Sequence, residues 1–215
     1  MNNASISCVR VADTEAELGV EQPDKYSASA QLTLGQFWEG PDALPAERAH
    51  ALVGASETGL NFYVYLRDSD IYSRATADDQ KMWTLGDVAE FFIKPGGGRT
   101  DYWEIHITPN DFIMDIYIPD RERFMDGKIT WDEVVAPSSH TRKRVQVGDG
   151  YWAVEACVPW AAFGLSDIPE GGAIWQIAVC RYNYAGGSDE PELSSTASFS
   201  QAGFHRHEEY TQLVF

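Results

Sequence analysis

Short segments in which apolar and polar residues alternate recur along this chain, and they bound what it can fold into. Leu60, Phe62, Val64 and Leu66 alternate with Asn61, Tyr63, Tyr65 and Arg67. Trp103, Ile105 and Ile107 alternate with Tyr102, Glu104, His106 and Thr108. The same pattern runs through Trp152, Val154, Ala156 and Val158 and through Trp175, Ile177 and Val179. Period two is the signature of a strand with one face on a core. Further strands are expected near 4–11, 26–34, 47–55, 111–118, 142–147 and 211–215, separated by turn signals such as Pro109-Asn110-Asp111, Gly148-Asp149-Gly150 and Glu170-Gly171-Gly172. Helical periodicity is confined to short turns around Trp160–Gly164 and Asp78–Met82. The segments 35–46, 120–140 and 185–203 read as long loops. Many short strands with little helix predict an all-β fold, a two-sheet antiparallel β-sandwich of jelly-roll or immunoglobulin-like type. At 215 residues the expectation is a single domain over 1–215.

One stretch breaks the simple pattern. In Trp83-Thr84-Leu85-Gly86-Asp87-Val88-Ala89-Glu90-Phe91-Phe92-Ile93, a tryptophan and a carboxylate lead into a strand that holds a second carboxylate. Counting by twos, Val88, Glu90 and Phe92 face one way and Ala89, Phe91 and Ile93 the other. Glu90 then lies mid-strand among apolar residues, where an unpaired charge is costly and must find partners or a ligand. An aromatic ring beside directed carboxylates suits a sugar: the ring packs on the C–H face of a pyranose while the acids accept hydrogen bonds from its hydroxyls. From composition alone Trp83 reads more readily as a plug at the end of the sandwich, since most tryptophans are largely buried. On the next alternating strand Glu104 and His106 share a face with Tyr102. That face is either a solvated polar stripe or the polar floor of a ligand site.

Composition narrows the partners. Lys+Arg 16 against Asp+Glu 33 leaves a formal net charge of −17, which repels phosphate backbones and anionic membranes. Neither nucleic acid nor a membrane is expected as a partner, and no apolar run is long enough to span a bilayer. The start Met1-Asn2-Asn3-Ala4-Ser5-Ile6 carries no basic n-region and no apolar h-region, so the chain as written reads as cytoplasmic. The three cysteines, Cys8, Cys157 and Cys180, lack metal-motif spacing and are expected as reduced thiols, one disulfide being the alternative.

Other constellations are weaker. Glu155 and Arg181, each near a strand end, are expected to form a buried pair. His205 and His207 form an i, i+2 pair with no third ligand at an obvious spacing. Asp68-Ser69-Asp70 could hold calcium but lacks the full EF-hand loop. Glycines 96–98 read as a turn between strands.

Four segments in order resemble the family 9 carbohydrate-binding modules and their relatives of the DOMON-like superfamily. Leu60–Ile71 is similar to the family's LYV-x-x-x-V-x-D strand, and Trp83–Ile93 to its W-x-x-D-x-VE-x-F-I-D core. Gly150–Trp160 is similar to G-W-x-VE-x-x-I-P-W, and Phe204–Phe215 to W/F-H-x-P-x-x-F-G-x-L-x-F. Departures are an extra residue between Trp83 and the acidic pair, Ala89 for a β-branched residue, Phe204 for tryptophan, and His207 and Thr211 for proline and glycine. The resemblance implies a β-sandwich that holds a sugar between two aromatic side chains, here Trp83 and Phe204. It also implies hydrogen bonds from Glu90, a polar ligand-binding residue at His106, structural calcium at ligands not mapped to this chain, and a family often found outside the cytoplasm.

These readings predict non-catalytic binding of a mono- or oligosaccharide at Trp83, Asp87, Glu90, Glu104, His106 and Phe204. Relatives on this fold also bind haem, so an electron-transfer domain with axial ligands among Met82, Met114 and His106 is an alternative. Others are a glycoside-processing enzyme using Asp87, Glu90 or Glu104, and a structural domain with no ligand.

Overall fold

The period-two segments pair into two stacked sheets. A computed structural model describes residues 4–96, 98–135, 138–185 and 188–215. Gly97 of the expected 96–98 turn, and Met1–Asn3, lie outside the described residues. The strands are β1 (Ser5–Ser7), β2 (Val9–Arg10), β3 (Leu32–Thr33), β4 (Ala49–Ala55), β5 (Gly59–Arg67), β6 (Val88–Lys94) and β7 (Tyr102–Ile107). They continue with β8 (Ile113–Ile118), β9 (Arg142–Gly148), β10 (Tyr151–Pro159), β11 (Ile174–Asn183), β12 (Glu192–Ser195) and β13 (Thr211–Val214). One sheet runs β1-β13-β11-β6-β7-β8, with β12 also on β11; the other runs β2-β4-β5-β10-β9, with β3 on β4. The pairings are antiparallel apart from β1 with β13 and β2 with β4. The chain is an all-β sandwich.

Alternation decides what lies between the sheets. Phe62, Val64 and Leu66 of β5 and Trp152, Val154 and Val158 of β10 meet Ala89, Phe91 and Ile93 of β6 and Trp103, Ile105 and Ile107 of β7. The Phe62 and Phe91 rings, centroids 5.2 Å apart, join the layers. On β6 and β7 the residues of the other parity are buried too. Val88, Phe92, Tyr102, Met114, Ile116 and Ala178 enter a second apolar cluster with Met82, Val134, Phe199, Phe204 and Tyr210, which come from loops folded over the sheet. Burial on both faces explains why β6 reads as a nearly continuous apolar run.

Those loops differ from the sequence expectation. The stretch 120–140 holds two short helices, α1 (Arg121–Met125) and α2 (Trp131–Val134). Asp120 caps α1 by accepting from the Arg123 N–H at 3.0 Å. Thr130 and Glu133 form a reciprocal capping box on α2. The stretch 185–203 contains β12, which pairs with the second half of β11 beyond β13. Within 26–34 only Leu32 and Thr33 pair, and Tyr26 instead ends a 3-10 turn, Asp24–Tyr26. The turn expected at 78–82 falls at Met82–Thr84, whereas the turn at Trp160–Phe163 forms where the sequence places it.

The expected Glu155–Arg181 pair does not form, because the two residues sit on different sheets. Glu155 binds Lys25 at 2.8 Å and Arg144 at 3.2 Å and accepts the Ala16 N–H at 2.9 Å, tying the N-terminal segment onto its sheet. Arg181 lies at the rim between the sheets, with Nη2 2.9 Å from Asp68 Oδ2 and 2.7 Å from Asn183 Oδ1, and Nη1 2.8 Å from the Arg67 carbonyl. Asp68 belongs to the segment after β5, so this ion pair latches one sheet to the other. The Asp68 carboxylate of the 68–70 segment thus faces a guanidinium. Both side chains are 1% exposed. Removing one partner of such a pair leaves a buried charge and costs about 3–5 kcal/mol. Asp68→Asn is therefore expected to lower stability to urea by about 3 kcal/mol. A loss below about 1 kcal/mol would place this latch among the weak surface-type pairs.

Candidate functional site

The site grows from the outward-facing parity of β6 and β7. Register sets Glu90 directly across from His106 on one side and from Cys180 of β11 on the other. Glu104, two residues before His106, projects from the same face. His106 Nε2 lies 2.7 Å from Glu104 Oε1 and 3.3 Å from Glu90 Oε1. All three are buried, with exposures of 2% for Glu90, 4% for Glu104 and 0% for His106. Two carboxylates and one imidazole thus share a water-poor space.

Their titration follows from that crowding. Burial, reinforced by the Glu104 charge and opposed by His106, pushes the Glu90 carboxyl up to about 8. Burial also disfavours the Glu104 charge, but His205 and His106 outweigh it and keep this carboxyl below its ordinary range. Burial works against a charged His106 as well, yet Glu90 and Glu104 hold it above its usual value. Glu104 Oε2 and His106 Nδ1 are buried without a hydrogen-bond partner among the described residues.

Loops wall this floor. Glu90, Phe92 and Glu104, with Trp83, Trp131, Tyr182, Phe204 and His205, line a cavity of about 150 Å³. Trp83 stands on the Met82–Thr84 turn, and the Tyr184 hydroxyl donates to its carbonyl. Its ring packs edge-on against His106 at 5.5 Å and against Trp131 at 5.1 Å. Gly86, with φ +139, passes the Tyr72 backbone so closely that a Cβ would collide with the Tyr72 carbonyl, so this turn needs glycine. Phe204, 4% exposed, wedges among Phe92, Tyr182 and Phe199 at the base of the wall. His205 Nδ1 is 2.9 Å from the Tyr102 hydroxyl and 3.6 Å from Glu104 Oε2.

Of the six residues singled out from sequence, Trp83, Glu90, Glu104 and Phe204 line one cavity. His106 does not reach the cavity wall; it lies beneath, bridging the two carboxylates, so any effect on a ligand passes through them. Asp87 is elsewhere. Its carboxylate accepts the Tyr72 N–H at 2.5 Å and the Tyr184 N–H at 2.8 Å, and burial pushes it up to about 7. It braces the segments flanking β6 rather than facing the cavity. His205 and His207 do not converge: His205 turns to Tyr102 and Glu104, whereas His207 lies 3.8 Å from Glu208. Met82 and Met114 are packed in the apolar cluster and line no part of the cavity. A void of roughly 150 Å³ holds a ring the size of benzene, so this cavity does not fit a haem. Cys8, Cys157 and Cys180 are free thiols. Sequence reasoning missed Trp131 and Tyr182, and weighed His205 only as half of a histidine pair. The capping-box spacing Thr130-x-x-Glu133 was the available signal that Trp131 starts a helix.

No family model matches the sequence, and no curated protein matches it either. Solved structures do share its shape. A protein of Bacteroides uniformis proposed to bind carbohydrate aligns over 100% of both chains with a TM-score of 0.73 and 13% identity. A family 9 carbohydrate-binding module of Caldicellulosiruptor kristjanssonii, in complex with cellotriose, aligns over 96% of this chain and 92% of its own with a TM-score of 0.63 and 11% identity. A glucose complex of a family 9 module from the same organism aligns over 96% and 94%, with a TM-score of 0.60 and 10% identity. At these identities the likeness establishes the fold.

The loop that carries Phe204 and His205 is stapled by Glu209. Its carboxylate accepts from the Ser200 N–H and hydroxyl, both at 2.8 Å, and from Arg206 Nη2 at 2.8 Å. Arg206, against the opposing effect of burial and with help from the Ser200 bonds, holds Glu209 down at about 2. Because the folded state binds this proton less readily than the unfolded chain does, the contribution is present above the ordinary glutamate range and lost as pH falls toward 2. Glu209→Gln should therefore melt below the parent protein at pH 6, and the gap should close as the pH is lowered from about 4.5. A gap independent of pH would contradict the staple.

Proposed function

We propose that this chain is a non-catalytic carbohydrate-binding domain whose sugar sits in the cavity between β6, β7 and the covering loops. The observation that carries this reading is the pairing of aromatic walls, Trp83, Trp131 and Phe204, with two buried carboxylates on the floor, Glu90 and Glu104. The fold it shares with modules solved in complex with glucose and cellotriose supports it. The cavity of about 150 Å³ is too small to enclose a whole pyranose, so it would receive part of one ring, free or at the end of an oligosaccharide, rather than a chain threaded through. In this reading Trp83 and Trp131 offer apolar surface to the C–H face of the ring, and Phe204 closes the base. Glu90 and Glu104 accept from ring hydroxyls. His106 positions both carboxylates by holding Oε1 of each, so its share in sugar recognition is indirect.

The magnitudes are consistent with useful affinity. An aromatic contact contributes about 0.5–1.5 kcal/mol beyond area burial, and a hydrogen bond to a charged group about 1.5–3 kcal/mol. Two aromatic contacts, a hydrogen bond to the Glu104 carboxylate and a weaker one, about 0.5–1.5 kcal/mol, to the Glu90 carboxyl that burial raises to about 8 reach about 3–7.5 kcal/mol, the millimolar-to-micromolar range before the cost of ordering the ligand.

Calorimetry against glucose and cello-oligosaccharides tests the reading. The parent protein should bind, and the sugar should be recovered chemically unchanged. Trp83→Ala should lose tenfold or more in affinity while its far-ultraviolet spectrum stays native, since Trp83 is only partly buried, on a turn rather than in the inter-sheet core. Unchanged affinity in that variant would remove Trp83 from the site, and silence across the whole sugar panel would sink the carbohydrate reading.

A further inference from the structure

Glu90, Glu104 and His106 each offer one donor atom, and these three atoms lie within 4.8 Å of one another. The backbone holds them there: two come from one strand and the third from directly across the ladder, so the set is fixed by register rather than by a loop. The site is short of partners. Two acidic side chains and one imidazole crowd a space out of reach of bulk water, and Glu104 Oε2, on a buried side chain at the cavity floor, has no hydrogen-bond partner among the described residues, His205 Nδ1 standing 3.6 Å away. A divalent cation would supply that partner.

We propose that Glu90, Glu104 and His106 form a binding site for a zinc-like divalent transition metal at the floor of the cavity. The donor set selects the class of ion. An imidazole nitrogen with two carboxylate oxygens suits zinc and its neighbours, which take three protein ligands and leave a fourth position open. Calcium requires six to eight oxygen donors, and the one nitrogen among three donors here does not suit it. The open position faces the cavity, because Glu90 and Glu104 line it and His106 lies behind them. An oxygen of a bound ligand would complete the coordination there. That last point rests on the carbohydrate reading; the metal site does not.

The test is titration of chelator-stripped protein with zinc chloride by calorimetry, in the absence of sugar. Cobalt chloride is titrated in parallel and followed by visible absorption. The expected result is one ion per chain with a dissociation constant near micromolar, a saturable cobalt d–d band, and no competition from equimolar calcium. Glu104→Gln and His106→Gln, both close in volume to the parent residues, should each weaken zinc at least tenfold. Circular dichroism establishes that each variant is folded, and the parent protein's cobalt spectrum tests the site without any substitution. Absence of a saturable cobalt band overturns the proposal, as does zinc binding undiminished in both folded variants. Equal displacement by calcium overturns the nitrogen ligand. Protein that takes up zinc but no sugar would sink the carbohydrate reading and leave the metal site standing; sugar binding in chelator with no zinc uptake would do the reverse.

Discussion

Burial of β6 and β7 on both faces is the constraint on which the rest of this structure depends. A strand in a two-layer sandwich needs only one apolar face, and the inward parity of these strands supplies it: Ala89, Phe91 and Ile93 with Trp103, Ile105 and Ile107. The outward parity carries Val88, Phe92 and Tyr102 as well, and several loops fold over to cover it. Met82, Trp83, Trp131, Phe199 and Phe204 are that cover. Within this second layer sit three polar side chains that burial makes expensive, Glu90, Glu104 and His106. They are tolerated because register lets them face one another.

The cover is positioned by polar contacts at its edges rather than by its apolar residues alone. Asp87 grips the Tyr72 and Tyr184 backbones beside β6, and Tyr184 in turn reaches the Trp83 carbonyl. Arg121 donates to the His205 carbonyl, and the Tyr210 hydroxyl donates to that of Phe204 at 2.8 Å. Lys81 lies 5.4 Å from the Trp131 ring, a cation–π contact that draws the turn bearing Trp83 toward α2. The cavity is thus a gap left between fixed struts, with aromatic sides and an acidic floor.

Much of this was legible in the sequence, for physical reasons that differ between parts. Period-two alternation marks strands directly, and the long strands that carry the sheets fall where the pattern places them. The parity of Val88–Ile93 separated Glu90 from Ala89, Phe91 and Ile93, and the same count put Glu104 and His106 on the face of their strand opposite the core. What parity does not encode is depth. The count cannot say that loops bury that face, so His106 reads as a surface ligand when it lies beneath the floor. Adjacency in sequence also misled: Asp87 stands four residues from Trp83 but points to the flanking backbone, because the turn at Gly86 rotates the chain between them. Trp131 lies in a stretch that looks like loop, and only the capping box betrays the helix that presents it. Arg181 finds Asp68 rather than Glu155 because pairing across the two layers depends on which sheet each strand joins, which alternation leaves open.

The most direct test of the account is to map a sugar onto the labelled protein by nuclear magnetic resonance. Glucose and a short cello-oligosaccharide are added stepwise while backbone amide and indole N–H signals are followed. The account expects saturable shifts at the Trp83 and Trp131 indoles and at the amides of Glu90, Glu104 and His205, with the opposite sheet silent. Shifts confined instead to the groove on the other sheet lined by Lys25, Arg142 and Arg144, or to no region at all, would contradict it.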